Sequence, residues 1–203
     1  LQSNLIKPNH TCLLRKGVEN NDKKSFIACF ADIYSHYHSK SLNNKVLSIE
    51  EMTNKIIQSL TLDKFVSYFN GNLIQIFDNG IYTDINIEKY KNDKVGLEEK
   101  HKLFNKIEKD DELFFKKIIN AYENFKNYLS NESSFIDHRF LFDIFCFKDK
   151  DLIDEELNLV IFEILKDDVT DNVEILCPTN HYSSTFFDKN KNTVFLIKQD
   201  VYY

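Results

Sequence analysis

The sequence predicts an α+β fold, with helices filling the first two-thirds and a mainly antiparallel sheet closing the last third. Three observations predict it. Apolar residues recur at helical spacing from residue 25 to about residue 147. Beyond that point the pattern changes to short β-rich runs separated by Asp/Asn turns. A chain of 203 residues that is 42% hydrophobic can bury a full core, which fits one domain over 1–203 with a helical insertion around 48–130. Eighteen phenylalanines and ten tyrosines without a tryptophan give Phe the main packing role. With four glycines and two prolines, the turns fall to Asn and Asp, which tolerate left-handed geometry and cap helices.

Residues 11–16, Thr-Cys-Leu-Leu-Arg-Lys, form a strand candidate leading into Gly17, and 18–24 is a polar loop. Residues 25–38 fit a helix, because Phe26, Phe30, Ile33 and Tyr37 recur at i, i+4, i+7 and i+11, with Ser25 at the N-cap position. Ser48-Ile49-Glu50-Glu51 is a capping box before a second helix, about 49–60. Thr61 opens a third, with Phe65, Tyr68 and Phe69 on its apolar side, and Asn70-Gly71-Asn72 breaks it. The apolar run 73–77 fits helix and strand equally. Residues 78–96, rich in Asn, Asp and Lys, read as a surface excursion. A long helical stretch follows over 97–130, bent near Asp110-Asp111. Its stripe of Phe114, Phe115, Ile118, Ile119, Tyr122, Phe125 and Leu129 reads as core packing. Asp137 caps a helix over 138–147. Strands are expected at 158–165, 173–177 and 193–198, with Val201–Tyr203 as a further edge strand.

The formal charge is −6, and all basic residues except Arg15 and Arg139 are lysines. With abundant Asn and Ile, this looks like the bias of an AT-rich genome, of the kind found in large DNA viruses and intracellular bacteria. No basic stripe interleaved with aromatics is present, so nucleic-acid binding is not expected. No apolar run approaches the roughly 20 residues that span a bilayer, so no membrane partner is expected. Cys12, Cys29, Cys146 and Cys177 lack C-x-x-C spacing and each sits in an apolar segment. That pattern suits reduced thiols and a cytoplasmic setting, the host cytosol for a viral or effector protein. His36 and His38 lie two apart on a helix and point to different sides, so no metal or cofactor is implied.

Chemistry concentrates at two distant segments. The turn Asp22-Lys23-Lys24-Ser25 feeds a helix, where unpaired amides and the dipole favour an anionic nucleophile. The amides of Asp22, Lys23 and Lys24 are then candidates for an oxyanion hole. His181 follows the strand 173–177 and is the candidate base. Asn180, Ser183 and Asn9 are candidates to orient it. Ser25 admits three readings: an N-cap worth about 1 kcal/mol, the site of a lost or engineered-away cysteine, or a working serine. Cys29 is the rival nucleophile, four residues on and one turn inside, where the amides are already paired. A helix that began near Ala28 would promote it.

These segments make the chain resemble the ovarian-tumour (OTU) family of cysteine deubiquitinases, which have a papain-like fold. Asp22-Lys23-Lys24-Ser25 has the Asp and the spacing of the family's Asp-x-x-Cys turn, with Ser in place of Cys. Phe26, Ile27, Ala28, Cys29, Phe30 and Ala31 follow the family's next pattern. Leu141-Phe142-Asp143-Ile144 is a loose counterpart of a later Trp-Gly-Asp helix, and 159–165 of the strand after it. His181-Tyr182 matches the His-Tyr signature, while Ser183 stands where Asn or Asp is common. The resemblance spans roughly 9–200. It implies recognition of ubiquitin or a ubiquitin-like protein. In an active form it implies isopeptide cleavage by position 25 or Cys29 with His181 as base. The alternative it carries is a catalytically inactive interaction module of a larger viral or effector protein.

Overall fold

A computed structural model describes residues 17–39, 41–43, 45–105, 111–165, 173–176 and 187–203. The first helix, α1 (Ser25–Tyr37), is buried almost all round, with Phe26, Ile27 and Phe30 fully enclosed. Its far end is fixed by His38, whose Nε2 donates to the Leu152 carbonyl at 2.7 Å. The helix α2 (Ile49–Ser59) opens on the expected capping box: Ser48 accepts from the Glu51 amide and Glu51 reaches back to the Ser48 amide. Thr61 caps α3 (Leu62–Ser67).

The break after α3 is sharper than its sequence suggests. Phe69, Asn70 and Gly71 all have positive φ, at 52°, 53° and 80°. A phenylalanine rarely adopts that conformation. The buried Asp143 carboxylate holds the turn by accepting from the Phe69 amide at 2.6 Å, and the Phe69 ring meets Phe140 edge-on. The run 73–77 resolves as helix α4 (Leu73–Phe77). The excursion carries a short helix, α5 (Ile87–Lys91), and a two-stranded hairpin, β1 (Lys94–Val95) with β2 (Glu98–Glu99).

The stretch expected to be helical from 97 is helical only from Glu112. Asp111 caps α6 (Glu112–Ser130), accepting from the Phe114 amide. Upstream, β2 and a 3-10 turn over Lys102–Asn105 use up the polar residues. Phe115, Ile118, Ile119, Tyr122, Phe125 and Leu129 of α6 are buried as expected, and Phe114 faces outward. Asp137 caps α7 (His138–Cys146). Aromatic rings link these helices: Phe30 to Phe145, Phe65 to Tyr122 and Phe125, Phe77 to Phe140.

Strands β3 (Leu157–Ile164), β4 (Val173–Leu176) and β5 (Asn192–Gln199) form a sheet in the order β4-β3-β5. The α+β class holds, and the expectation of a mainly antiparallel sheet does not. β4 pairs antiparallel with β3 over four residue pairs, whereas β5 runs parallel to β3 over eight. β5 enters on the opposite edge from β4, with Asn192 level with Leu157, the first residue of β3. A strand that starts at the same end of its neighbour must run with it. Residues 201–203 make no further strand. Asp200, at φ 55°, turns the chain back so that Gln199 and Tyr202 exchange backbone hydrogen bonds.

Candidate functional site

Position 25 lies in the turn the sequence singles out, at the start of α1. The N-cap is Lys24 rather than Ser25, and it makes no side-chain cap. Ser25 is already the first helical residue and is only 3% exposed. Its hydroxyl donates to the Val201 carbonyl at 3.0 Å, across 176 positions of sequence. Asn21 does the local work: its side-chain oxygen accepts from the Lys23 and Lys24 amides at 3.0 and 2.8 Å. These are two of the three amides assigned to an oxyanion hole beside Asp22, and Asn21 already engages them. The hydrogen bond that a developing oxyanion would need is therefore made within the protein.

The rest of the turn is tied down as well. The Lys24 side chain is buried, and its amine donates to the carbonyls of Leu129 and Ser130 at 2.9 and 3.4 Å. Those are the last residues of α6, so a cation sits on the end of a helix where the dipole is negative. Burial lowers the amine's pKa, against an opposing pull from Glu132. The Lys23 carbonyl accepts from the Ile136 amide at 2.8 Å. Opposite, His138 Nδ1 is 2.6 Å from the Tyr203 hydroxyl, and the Tyr203 and His138 rings pack against Phe26. Burial holds His138 below the usual imidazole pKa, although Asp137 pulls it up. This junction of His138, Tyr203 and Val201 was not legible in the sequence. Asp137 signals a helix cap, and nothing local tells a reader that residues 201–203 return to α1.

Cys29 lies one turn into α1 and is buried. Since the helix starts at Ser25, it gains nothing from the helix terminus. Burial, with the Asp32 carboxylate adding to it, pushes its thiol up to about 12, the opposite of an activated nucleophile. His181, Asn180, Ser183 and Asn9 lie outside the described residues, as does the strand candidate 11–16. Among the described residues, no three His, Cys, Asp or Glu side chains are grouped to hold a metal ion, and no helix is long and apolar enough to cross a membrane.

A second region stands out by its exposure. In the register of the sheet, Val160, Phe162 and Ile164 of β3 share a face with Ile175 and Val173 of β4 and with Phe195 and Ile197 of β5. The other face, with Leu159, Ile161 and Leu196, belongs to the core. On the outer face Val160 and Ile164 of the central strand β3 are buried, whereas on the flanking strands Ile175 is 54% exposed, Phe195 49%, Val173 43% and Ile197 38%. Phe162 and Phe195 lie with their rings nearly parallel, 6.1 Å apart. The remaining side chains of the face are Asn158, Thr193 and Gln199, so it carries no charge. The sequence signal was there, in β-branched and aromatic residues at every second position of β5. It reads as an ordinary strand until the register shows which side the core takes. Comparisons with protein-family models, curated proteins and solved structures returned no match.

Proposed function

We propose that the chain is a catalytically silent OTU-like recognition domain whose partner is ubiquitin or a ubiquitin-like protein. The carrying observation is the bond from the buried Ser25 hydroxyl to the Val201 carbonyl. A hydroxyl committed as a donor to a backbone oxygen, in a turn whose Lys23 and Lys24 amides are already engaged, serves as a tie rather than a nucleophile. The raised thiol of Cys29 supports the same reading. The partner rests on the family resemblance of the Asp22–Ser25 turn and of His181-Tyr182.

A ubiquitin probe with a C-terminal electrophile tests this, together with calorimetry against free ubiquitin. The expected result is no labelling of the unmutated chain, and measurable ubiquitin binding. Labelling that disappears in Cys29→Ala makes Cys29 a nucleophile and overturns the silent reading; labelling that disappears in Ser25→Ala does the same for Ser25. Labelling of Ser25→Cys alone assigns the turn to a disarmed hydrolase. Ubiquitin binding to none of these proteins removes the proposed partner.

A further inference from the structure

The hairpin of β1 and β2 reaches the body of the protein through a buried histidine. Every residue from Lys94 to Glu99 is exposed, so the hairpin itself brings no apolar side chain into the core. His101, which follows it, is only 2% exposed and sits between the rings of Tyr90 from α5 and Tyr122 from α6. The hydroxyls of those tyrosines are engaged elsewhere, donating to Glu123 and to the Leu60 carbonyl. The imidazole joins two other elements. Its Nδ1 accepts from the Leu62 amide of α3 at 3.1 Å, and its Nε2 lies 3.3 Å from a carboxylate oxygen of Asp93, at the root of the hairpin. Asp93 closes that root as well. Its carbonyl accepts from the Lys100 amide at 2.9 Å, and its carboxylate lies 3.6 Å from the Lys100 amine. One ring thus ties both legs of the hairpin to α3.

This joint works in one protonation state. A neutral imidazole with its proton on Nε2 donates to Asp93 and accepts from Leu62. A second proton goes to Nδ1, where it faces the Leu62 N–H, donor against donor, and leaves a buried amide without its acceptor. The groups around the ring divide. Burial and the Lys100 cation disfavour the imidazolium, whereas Asp93 and, from α3, Asp63 favour it; the first pair prevails and holds the pKa below the usual imidazole value. With the hairpin lifted, the ring lies in water and titrates near about 6.5. The open form therefore takes up its proton at a higher pH than the closed one. Opening is favoured as pH falls from about 6.5 through the lower value of the closed form. Just beyond His101, the Lys102 amide donates to the Asp63 carboxylate at 2.7 Å, which pins the chain where the lifted segment ends. We infer that His101 is an acid-released latch, whose protonation frees the Asp93–His101 hairpin from α3 while the helical core stays folded. The latch goes beyond the recognition reading and is separate from position 25.

Amide hydrogen exchange of the full chain, followed by NMR at about pH 7.5 and about pH 5, tests this. Protection is read as an opening equilibrium, after removing the pH dependence of exchange in an unprotected chain. The expected result is a several-fold rise in opening at Leu62 and Lys100 in acid, with Ile118 and Phe125 of α6 better protected at both pH values. His101→Asn accepts from Leu62 without charging and should abolish the rise. Asp93→Asn alters a side chain that is 42% exposed and removes a charge that favours the imidazolium, so it should enlarge the rise. Four results overturn the inference: no rise in acid; a rise that persists in His101→Asn; protection at Leu62 and Lys100 equal to that of α6, which makes the opening global; or a rise that Asp93→Asn diminishes. Where His101→Asn does not fold, the sign of the Asp93→Asn effect decides.

Discussion

The start of α1 and the outer face of the sheet invert the usual rule of burial. At the start of α1 polar groups are buried, and each of the groups traced there is tied: Ser25 to Val201, Lys24 to the end of α6, the Lys23 and Lys24 amides to Asn21. On the flanking strands β4 and β5, apolar groups lie exposed. Groups that look catalytic in sequence are hydrogen-bonded within the fold, while apolar side chains of β4 and β5 face outward. Burying a polar group costs stability unless it is hydrogen-bonded, so the turn must be satisfied for the fold to form. An exposed apolar face lowers stability little by itself and becomes favourable only when something covers it.

Substitutions sharpen this contrast. The largest effect is expected from Phe26→Ala, which opens a cavity in the ring cluster under the turn and should cost about 3–5 kcal/mol in urea unfolding. A cost below about 1 kcal/mol would show that the turn is not seated on the core as described. Lys24→Met keeps the buried stem and removes the amine from the Leu129 and Ser130 carbonyls; a loss of about 1–3 kcal/mol is expected. An unchanged midpoint would mean the amine does not serve that helix end. Ser25→Ala should cost about 1 kcal/mol, and equal stability would break the tie to Val201. Phe195→Ser, on the exposed side of the comparison, removes a half-buried ring paired with Phe162 and should cost no more than about 1 kcal/mol. A loss comparable to that of Phe26→Ala would mean the outer face is already covered.

Acid tests the same contrast by sign. His101 is buried between Tyr90 and Tyr122. Its Nδ1 accepts from the Leu62 amide at 3.1 Å, so the proton sits on Nε2, 3.3 Å from an Asp93 carboxylate oxygen. Burial, with help from Lys100, lowers its pKa although Asp93 opposes them. The folded state therefore prefers neutral imidazole. That stability is fully present above the unfolded value of about 6.5 and is lost as pH falls from there through the lower folded value. His138 acts with the same sign. The unfolding free energy should fall as pH drops below about 6.5, and His101→Asn, which can accept from Leu62 without charging, should reduce the slope. Among the described residues the outer face has no titratable side chain, so its methyl signals should not move until the protein unfolds. A stability that rises in that range would contradict the neutral His101.

The local features were legible because they are written within a few residues. The capping box at Ser48 and the caps at Thr61 and Asp137 all sit where four-residue patterns place them. The period of α1 also reads directly. What was hidden depends on separation. The parallel pairing of β3 and β5 is a choice of edge, and strand sequence does not encode an edge. The Ser25 tie joins residues 176 apart. Asp143 reads in sequence as one polar position in an apolar helix, and its work on the left-handed turn at Phe69 appears only once α7 is packed against that turn. The site meets the same limit. The Asp22–Ser25 turn is a local pattern, whereas the oxygen that Ser25 bonds to lies at the far end of the chain.

The bond from Ser25 to Val201 also sets a sequence of events. Contacts between positions so far apart close slowly, because the intervening chain must be organised before they are gained. In synthesis α1 precedes β5, so the Ser25 hydroxyl gains its Val201 partner and the Phe26 ring its Tyr203 contact only when those residues arrive. That joint cannot close before Val201 and Tyr203 are in place, so the start of α1 is completed from the far end of the chain.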